Sequence, residues 1–146
     1  IRQAQNLIGS NTDAPGALLA LEMHGEVQGK KIAILGAGGS ARAIAYEAMQ
    51  KGAEVALFNR TSARGEKIAN DFGCKAYALD ALSAHPYDLL INTIPVDPSG
   101  ALPILATEIL PEALVMDINP VSLSSPLLRA AREKKCLCVD GDAMFE

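Results

Sequence analysis

An α/β fold, a doubly wound parallel sheet of the Rossmann-like type, is predicted by three observations. Short runs that are apolar throughout recur along the chain, as strands covered on both faces require. Segments with helical periodicity alternate with them. Between the first run and its helix lies Gly36-Ala37-Gly38-Gly39-Ser40-Ala41, the strand–turn–helix setting that gives a G-x-G-x-x-G/A pattern its physical meaning.

Each element follows from its residues. Ala14, Ala17, Leu18 and Leu21 form one stripe of a helix over 14–24, and Gly25 to Gly29 break it. The first strand is predicted over 31–36. The next helix carries Ala41, Ile44, Ala45, Ala48 and Met49 at core-facing spacing and stops at Gly52. A second strand covers 54–59, a helix runs from Thr61 or Ser62 to Phe72, and a short strand falls at 75–78. A loop with His85 and Pro86, read as surface, leads to a strand from Tyr87 to Thr93. Pro95, Pro98, Gly100 and Pro103 make a loop before a short helix near 104–109. Leu114 to Ile118 is a strand, Ser125-Pro126 reads as an N-cap with proline at the first helical position, and that helix lasts to about Lys135. Cys136 to Asp140 closes the sheet.

The glycine turn assigns a ligand class. Gly36 permits the tight turn, Gly38 lets a pyrophosphate approach the backbone, and Ala41 allows close helix–strand packing. The helix start presents free N–H groups and partial positive charge to phosphates. At the end of the second strand, where an NAD site places Asp or Glu, stand Asn59, Arg60 and Thr61, with Arg64 a turn later. Two guanidinium groups and no carboxylate suit a 2′-phosphate, so NADP(H) is the expected cofactor. The competing reading leaves both arginines as solvated surface and Thr61 as a helix cap.

Composition narrows the class further. A chain of 146 residues is one domain's worth. Net charge is −4 with 21% charged residues, so no basic field invites nucleic acid or an anionic membrane. No apolar stretch approaches the ~20 residues of a membrane span, and the start lacks a signal-peptide pattern. The odd cysteine count (Cys74, Cys136, Cys138) fits reduced thiols in a cytoplasmic protein; no metal site is expected.

Five segments, in order, resemble the shikimate dehydrogenases. They are Gly9-Ser10-Asn11-Thr12-Asp13-Ala14-Pro15-Gly16; Gly36 to Ala43; Asn59-Arg60-Thr61 with Arg64; Ile91-Asn92-Thr93-Ile94-Pro95; and the pair Ser125-Pro126-Leu127-Leu128 and Gly141-x-x-Met144. The resemblance implies NADPH-dependent, reversible reduction of 3-dehydroshikimate to shikimate. It implies cofactor contacts from Gly36, Ala37, Gly38, Gly39, Ser40, Ala41, Asn59, Arg60, Thr61, Arg64, Asn92, Thr93, Ile94, Pro95, Ile118, Gly141 and Met144. It places substrate on Asn11, Thr12 and Asp13, with Asp13 catalytic beside a lysine of the substrate domain. Residues 1–25 would then be the end of the substrate domain and a linking helix, and 26–146 the NADP-binding domain. Asp13 equally suits the N-cap of the helix after it, and both roles are compatible.

Departures from the family pattern are as specific. The lysine's segment is absent, so the chain is read as a piece of a larger protein, inactive alone. Pro120 stands where the family has a tyrosine, and Val96-Asp97-Pro98-Ser99-Gly100 where it commonly has Leu-Gly-Met. Phe145 after Met144 is similar to bifunctional members with a dehydroquinate dehydratase domain ahead. Rival readings are another NADP-dependent reductase, a non-catalytic NADP- or metabolite-sensing module, and a quinate/shikimate dehydrogenase using NAD.

Overall fold

The computed structural model describes residues 14–120 and 125–145. Helix α1 covers 14–22. It is followed by β1 (Lys31–Leu35), α2 (Gly39–Gln50), β2 (Glu54–Asn59), α3 (Ser62–Phe72), β3 (Lys75–Ala78), β4 (Leu89–Asn92), β5 (Leu114–Asp117), α4 (Pro126–Glu133) and β6 (Leu137–Val139). The strands form one sheet in the order β3-β2-β1-β4-β5-β6, and every pairing is parallel. The chain thus winds outward one way from β1 and then the other way from β4, which puts the switch point between these two strands.

Alternation along each strand feeds two cores. Ile32 and Ile34 of β1, with Val55, Leu57, Leu89, Ile91 and Met116, face α1, α2 and α3. Ala33 and Leu35, with Phe58, Leu90 and Val115, face α4 and the loops between β3 and β5. The predicted stripes face the core: Ala14, Ala17, Leu18 and Leu21 on α1 and Ala41, Ile44, Ala45 and Ala48 on α2 are buried, while Met49 is half-buried against the same core. Burial of side chains this size contributes about 1.5–3 kcal/mol each for Leu or Ile. Arg42 ties α2 to α3 through Asp71 at 2.8 Å and lies 4.7 Å from the centre of the Phe72 ring.

Several elements differ from the sequence expectation. The strand expected over Tyr87–Thr93 is Leu89–Asn92, and the last two strands are likewise trimmed at their ends. The helix near 104–109 is a single 3-10 turn at Ala106–Glu108. The final helix ends at Glu133 rather than Lys135, because Lys135 takes φ +63° to turn the chain into β6. Residues Leu79–Ala84, expected as loop, form 3-10 turns that bury Leu82. His85 is not simple surface: it is half-buried, its Nδ1 lies 2.9 Å from the Ala81 carbonyl, and its ring stacks on Tyr77 at 3.8 Å.

Among the described residues no helix is long and apolar enough to cross a membrane. No three His, Cys, Asp or Glu side chains gather there as metal ligands.

Candidate functional site

At the carboxyl end of β1, Gly36 turns the chain with φ +108°, and its N–H donates to the Phe58 carbonyl at 2.8 Å. A side chain at this position would run into Thr93 Oγ1, whose hydroxyl donates to the Leu35 carbonyl at 2.7 Å. Glycine is therefore required twice, for its backbone freedom and for the close approach of the β4 loop. Ala41 is fully buried one turn on, as close helix–strand packing demands.

The start of α2 is arranged differently. Gly38 is the N-cap in an extended conformation, no side chain caps the helix, and its first turn carries no acid. Gly38, Gly39 and Ser40 are exposed. A Cβ at Gly38 or Gly39 would meet no protein atom within 4 Å. The helix-start amides thus face open space with no side chain of the protein filling it, the setting that binds a phosphate or pyrophosphate.

At the end of β2, Asn59 Nδ2 donates to the Thr61 carbonyl at 2.9 Å and shapes the turn into α3. Thr61 is the N-cap of α3 by position, with no capping bond from its side chain. Arg60, Thr61 and Arg64 are exposed. The ion pairs among the described residues are Arg42–Asp71 and Lys51–Glu22, so neither Arg60 nor Arg64 is committed to a carboxylate. A cleft of about 490 Å³ beside Asn59 and Arg60 is lined on its far side by Asn92, Ile94, Pro95 and Asp97. Asp97 Oδ1 accepts from the Ser99 hydroxyl at 2.6 Å and from its N–H at 2.8 Å. These bonds, with a smaller contribution from Arg60, hold the Asp97 carboxyl below the usual carboxylate range.

The ends of β4 and β5 carry a buried polar cluster. Asn92 and Asp117 are register partners and are 3% and 1% exposed. Asp117 accepts from Asn92, Asn119 and Ser125. Asn119 was not foreseen as a site residue; an Asp-x-Asn following an apolar run was its signal. Gly141 lies buried against the carbonyls of Ile118 and Asn119, and the Met144 backbone packs on Gly16, which brings the last turn of the chain to the start of α1.

The structure therefore gathers Gly36 to Ala41, Asn59, Arg60 and Asn92 to Pro95 along the carboxyl edge of the sheet, with Thr61 and Arg64 at the start of α3. Ile118 and Gly141 meet at the neighbouring end of β5. Asn11, Thr12 and Asp13 lie outside the described residues. Arg42, within the glycine motif, is engaged by Asp71 rather than turned to the helix start. A second cavity of similar size opens at the opposite, amino edge between Lys31, Lys75 and His85. It holds none of the expected site residues, and ligands of open α/β sheets bind at the carboxyl edge. Burial pushes the thiols of Cys74, Cys136 and Cys138 up, so none is an activated nucleophile.

Residues 18–97 match the family described as Shikimate / quinate 5-dehydrogenase, more than half of the chain. The chain belongs to that family. The NADP+ shikimate dehydrogenase of Pyrococcus furiosus is 40% identical over 141 residues, covering 92% of this chain and 50% of the relative. The shikimate biosynthesis protein AroDE of Chlamydia muridarum is 36% identical over 146 residues, covering 99% of this chain but 29% of the relative. Among solved structures, the shikimate 5-dehydrogenase of Thermus thermophilus, in complex with NADP(H) and shikimate, superposes with a TM-score of 0.78. It is 35% identical and is covered for 51% of its length, against 92% of this chain. The chain spans about half the length of these shikimate dehydrogenases and under a third of the AroDE relative. The doubly wound sheet and its glycine turn are the family's fold, as the sequence predicted.

Proposed function

We propose that this chain is the cofactor-binding part of an NADPH-dependent reductase that converts 3-dehydroshikimate to shikimate, reversibly. The observation that carries the reading is the pairing of two features on one edge. The uncapped start of α2 lies open above Gly38 and Gly39, and two arginines without carboxylate partners among the described residues stand where β2 ends.

The amides of Gly38 to Ala41 would hold the pyrophosphate, helped by the helix dipole. Arg60 and Arg64 would hold the 2′-phosphate, with Asn59 keeping the turn into α3 in shape. Thr93, Ile94 and Pro95, beside the glycine turn, would form the wall along which the rest of the cofactor lies, with Ile118, Gly141 and Met144 beyond. When bound, NADPH supplies the hydride. Asn11, Thr12 and Asp13 would orient the substrate, Asp13 beside a lysine of the substrate domain that would give its proton to the developing alkoxide. The family's lysine segment has no counterpart in this sequence, so the chain alone would bind cofactor without turnover. The relatives' names, which specify NADP+ and shikimate, support the same assignment.

The test is oxidation of NADPH with 3-dehydroshikimate by the longest natural protein that carries this chain, beside cofactor binding by the chain itself. Tight NADPH binding with no oxidation by the longer protein would favour a sensing module. Faster turnover of quinate with NAD+ would favour a quinate/shikimate dehydrogenase.

A further inference from the structure

We infer that Asn119 is a positioning residue for the Ile94–Val96 wall of the cofactor cleft, held in its working orientation by the buried carboxylate of Asp117. This rests on the cofactor reading above and goes beyond it, because neither side chain was expected to touch the cofactor.

Asp117 is 1% exposed and has no cationic partner among the described ion pairs. Its charge is met by four neutral donors instead. Oδ1 accepts from the Asn119 N–H at 2.9 Å and from Asn119 Nδ2 at 2.6 Å. Oδ2 accepts from Ser125 Oγ at 2.6 Å and from Asn92 Nδ2 at 3.3 Å. A carboxylate only accepts, so it dictates which end each neighbouring amide turns toward it. Both Asn92 and Asn119 must present Nδ2 inward, and their oxygens are thereby left to accept from the loop.

That choice fixes the loop at consecutive points. Asn92 Oδ1 accepts from the Ile94 N–H at 3.0 Å, and Asn119 Oδ1 accepts from the Val96 N–H at 3.3 Å. The remaining amide protons go to a shared acceptor, the Ile94 carbonyl, at 3.0 Å from Asn92 and 2.9 Å from Asn119. Pro95 has no N–H to offer, so both free backbone donors of the Ile94–Val96 segment are satisfied by these two amides. Asn92 ends β4, two residues before the segment it holds. Asn119 comes from the loop after β5 and is the tie that sets where the segment sits across the cleft.

The test compares Asn119→Ala with Tyr87→Phe, which loosens the opposite edge of the sheet by removing a hydroxyl bonded to Glu108 and Leu110. NADPH affinity is read by calorimetry and stability by thermal melting, with amide exchange at Val96 as a third readout. The expected result is an NADPH dissociation constant raised at least tenfold in Asn119→Ala, with faster exchange at Val96. Tyr87→Phe should bind within twofold of the unsubstituted chain whatever its melting temperature. Should Asn119→Ala not fold, Asn119→Ser is held to the same criterion. An affinity within twofold of the unsubstituted protein overturns the inference, as does an equal loss in Tyr87→Phe, which would make the effect one of general stability. Failure of the unsubstituted chain to bind NADPH is a different result: it removes the cofactor reading and this inference with it.

Discussion

Replacing Gly36 with alanine should destabilise the fold by about 1–2.5 kcal/mol, a figure assembled from three contributions. An L-residue forced to positive φ costs roughly 1–2 kcal/mol, and Gly36 sits at +108°. The new methyl would collide with Thr93 Oγ1 and come to 3.4 Å from Ile94 Cγ1. Thr93 would have to give up its hydroxyl bond to the Leu35 carbonyl, worth roughly 1 kcal/mol. The stiffer unfolded chain returns about 0.4–1 kcal/mol. At about 2–4 °C per kcal/mol for a domain of this size, the melting temperature should fall by roughly 2–10 °C. Thermal melts followed by circular dichroism measure it. A double-mutant cycle isolates the collision: Gly36→Ala with Thr93→Ala should be less destabilised than the two single changes added together. A fall of under about 2 °C in Gly36→Ala would refute the claim that turn geometry and the approach of Thr93 demand glycine.

Gly38→Val should behave in the opposite way. Its extended backbone and free space accept the side chain, so the melting temperature should hold while NADPH binding is lost; retained binding counts against the pyrophosphate seat. In the longest natural protein carrying this chain, Asp13→Asn should lower turnover with little change in cofactor affinity, and unchanged turnover would reduce Asp13 to a helix cap. Tyr87 carries a pH prediction. Burial pushes its hydroxyl up to about 12 from 10, so the folded state holds its proton where the unfolded state releases it. Stability from this group is complete below pH 10 and falls between 10 and 12. Denaturant titrations should show Tyr87→Phe less stable at neutral pH yet losing less than the parent over that window. Equal alkaline losses would rule the residue out as their source.

Much of the fold was legible because local pattern and tertiary packing agree. The stripes of α1 and α2, the apolar β1 and β2, and the glycine turn between strand and helix all express short-range periodicity that the cores then use. What could not be read depends on distant neighbours. His85 looks like loop surface beside Pro86, and it is half-buried because Tyr77 of β3 provides a ring to stack on. Leu82 is buried through a 3-10 turn whose spacing is too short to register as a helix. The Asp117–Asn119–Asn92 cluster forms only when β4 and β5 lie in parallel register, which no local pattern reports. The arginine pair at the end of β2 was visible, since strand end and motif spacing placed it; that both arginines escape the described ion pairs emerges only from the assembled surface.

The central claim is that Arg60 and Arg64 select a phosphorylated dinucleotide held on the α2 amides. Calorimetric titration of the chain with NADP+ and NAD+, repeated on the Arg60→Ala/Arg64→Ala variant, tests it most directly. With charge-assisted bonds worth about 1.5–3 kcal/mol when formed, reduced by solvent at exposed side chains, NADP+ should bind roughly tenfold or more tighter than NAD+. The double variant should lose that preference while keeping its NAD+ affinity. Equal affinities for the two cofactors in the unsubstituted chain, or equal losses for both in the variant, would contradict the account.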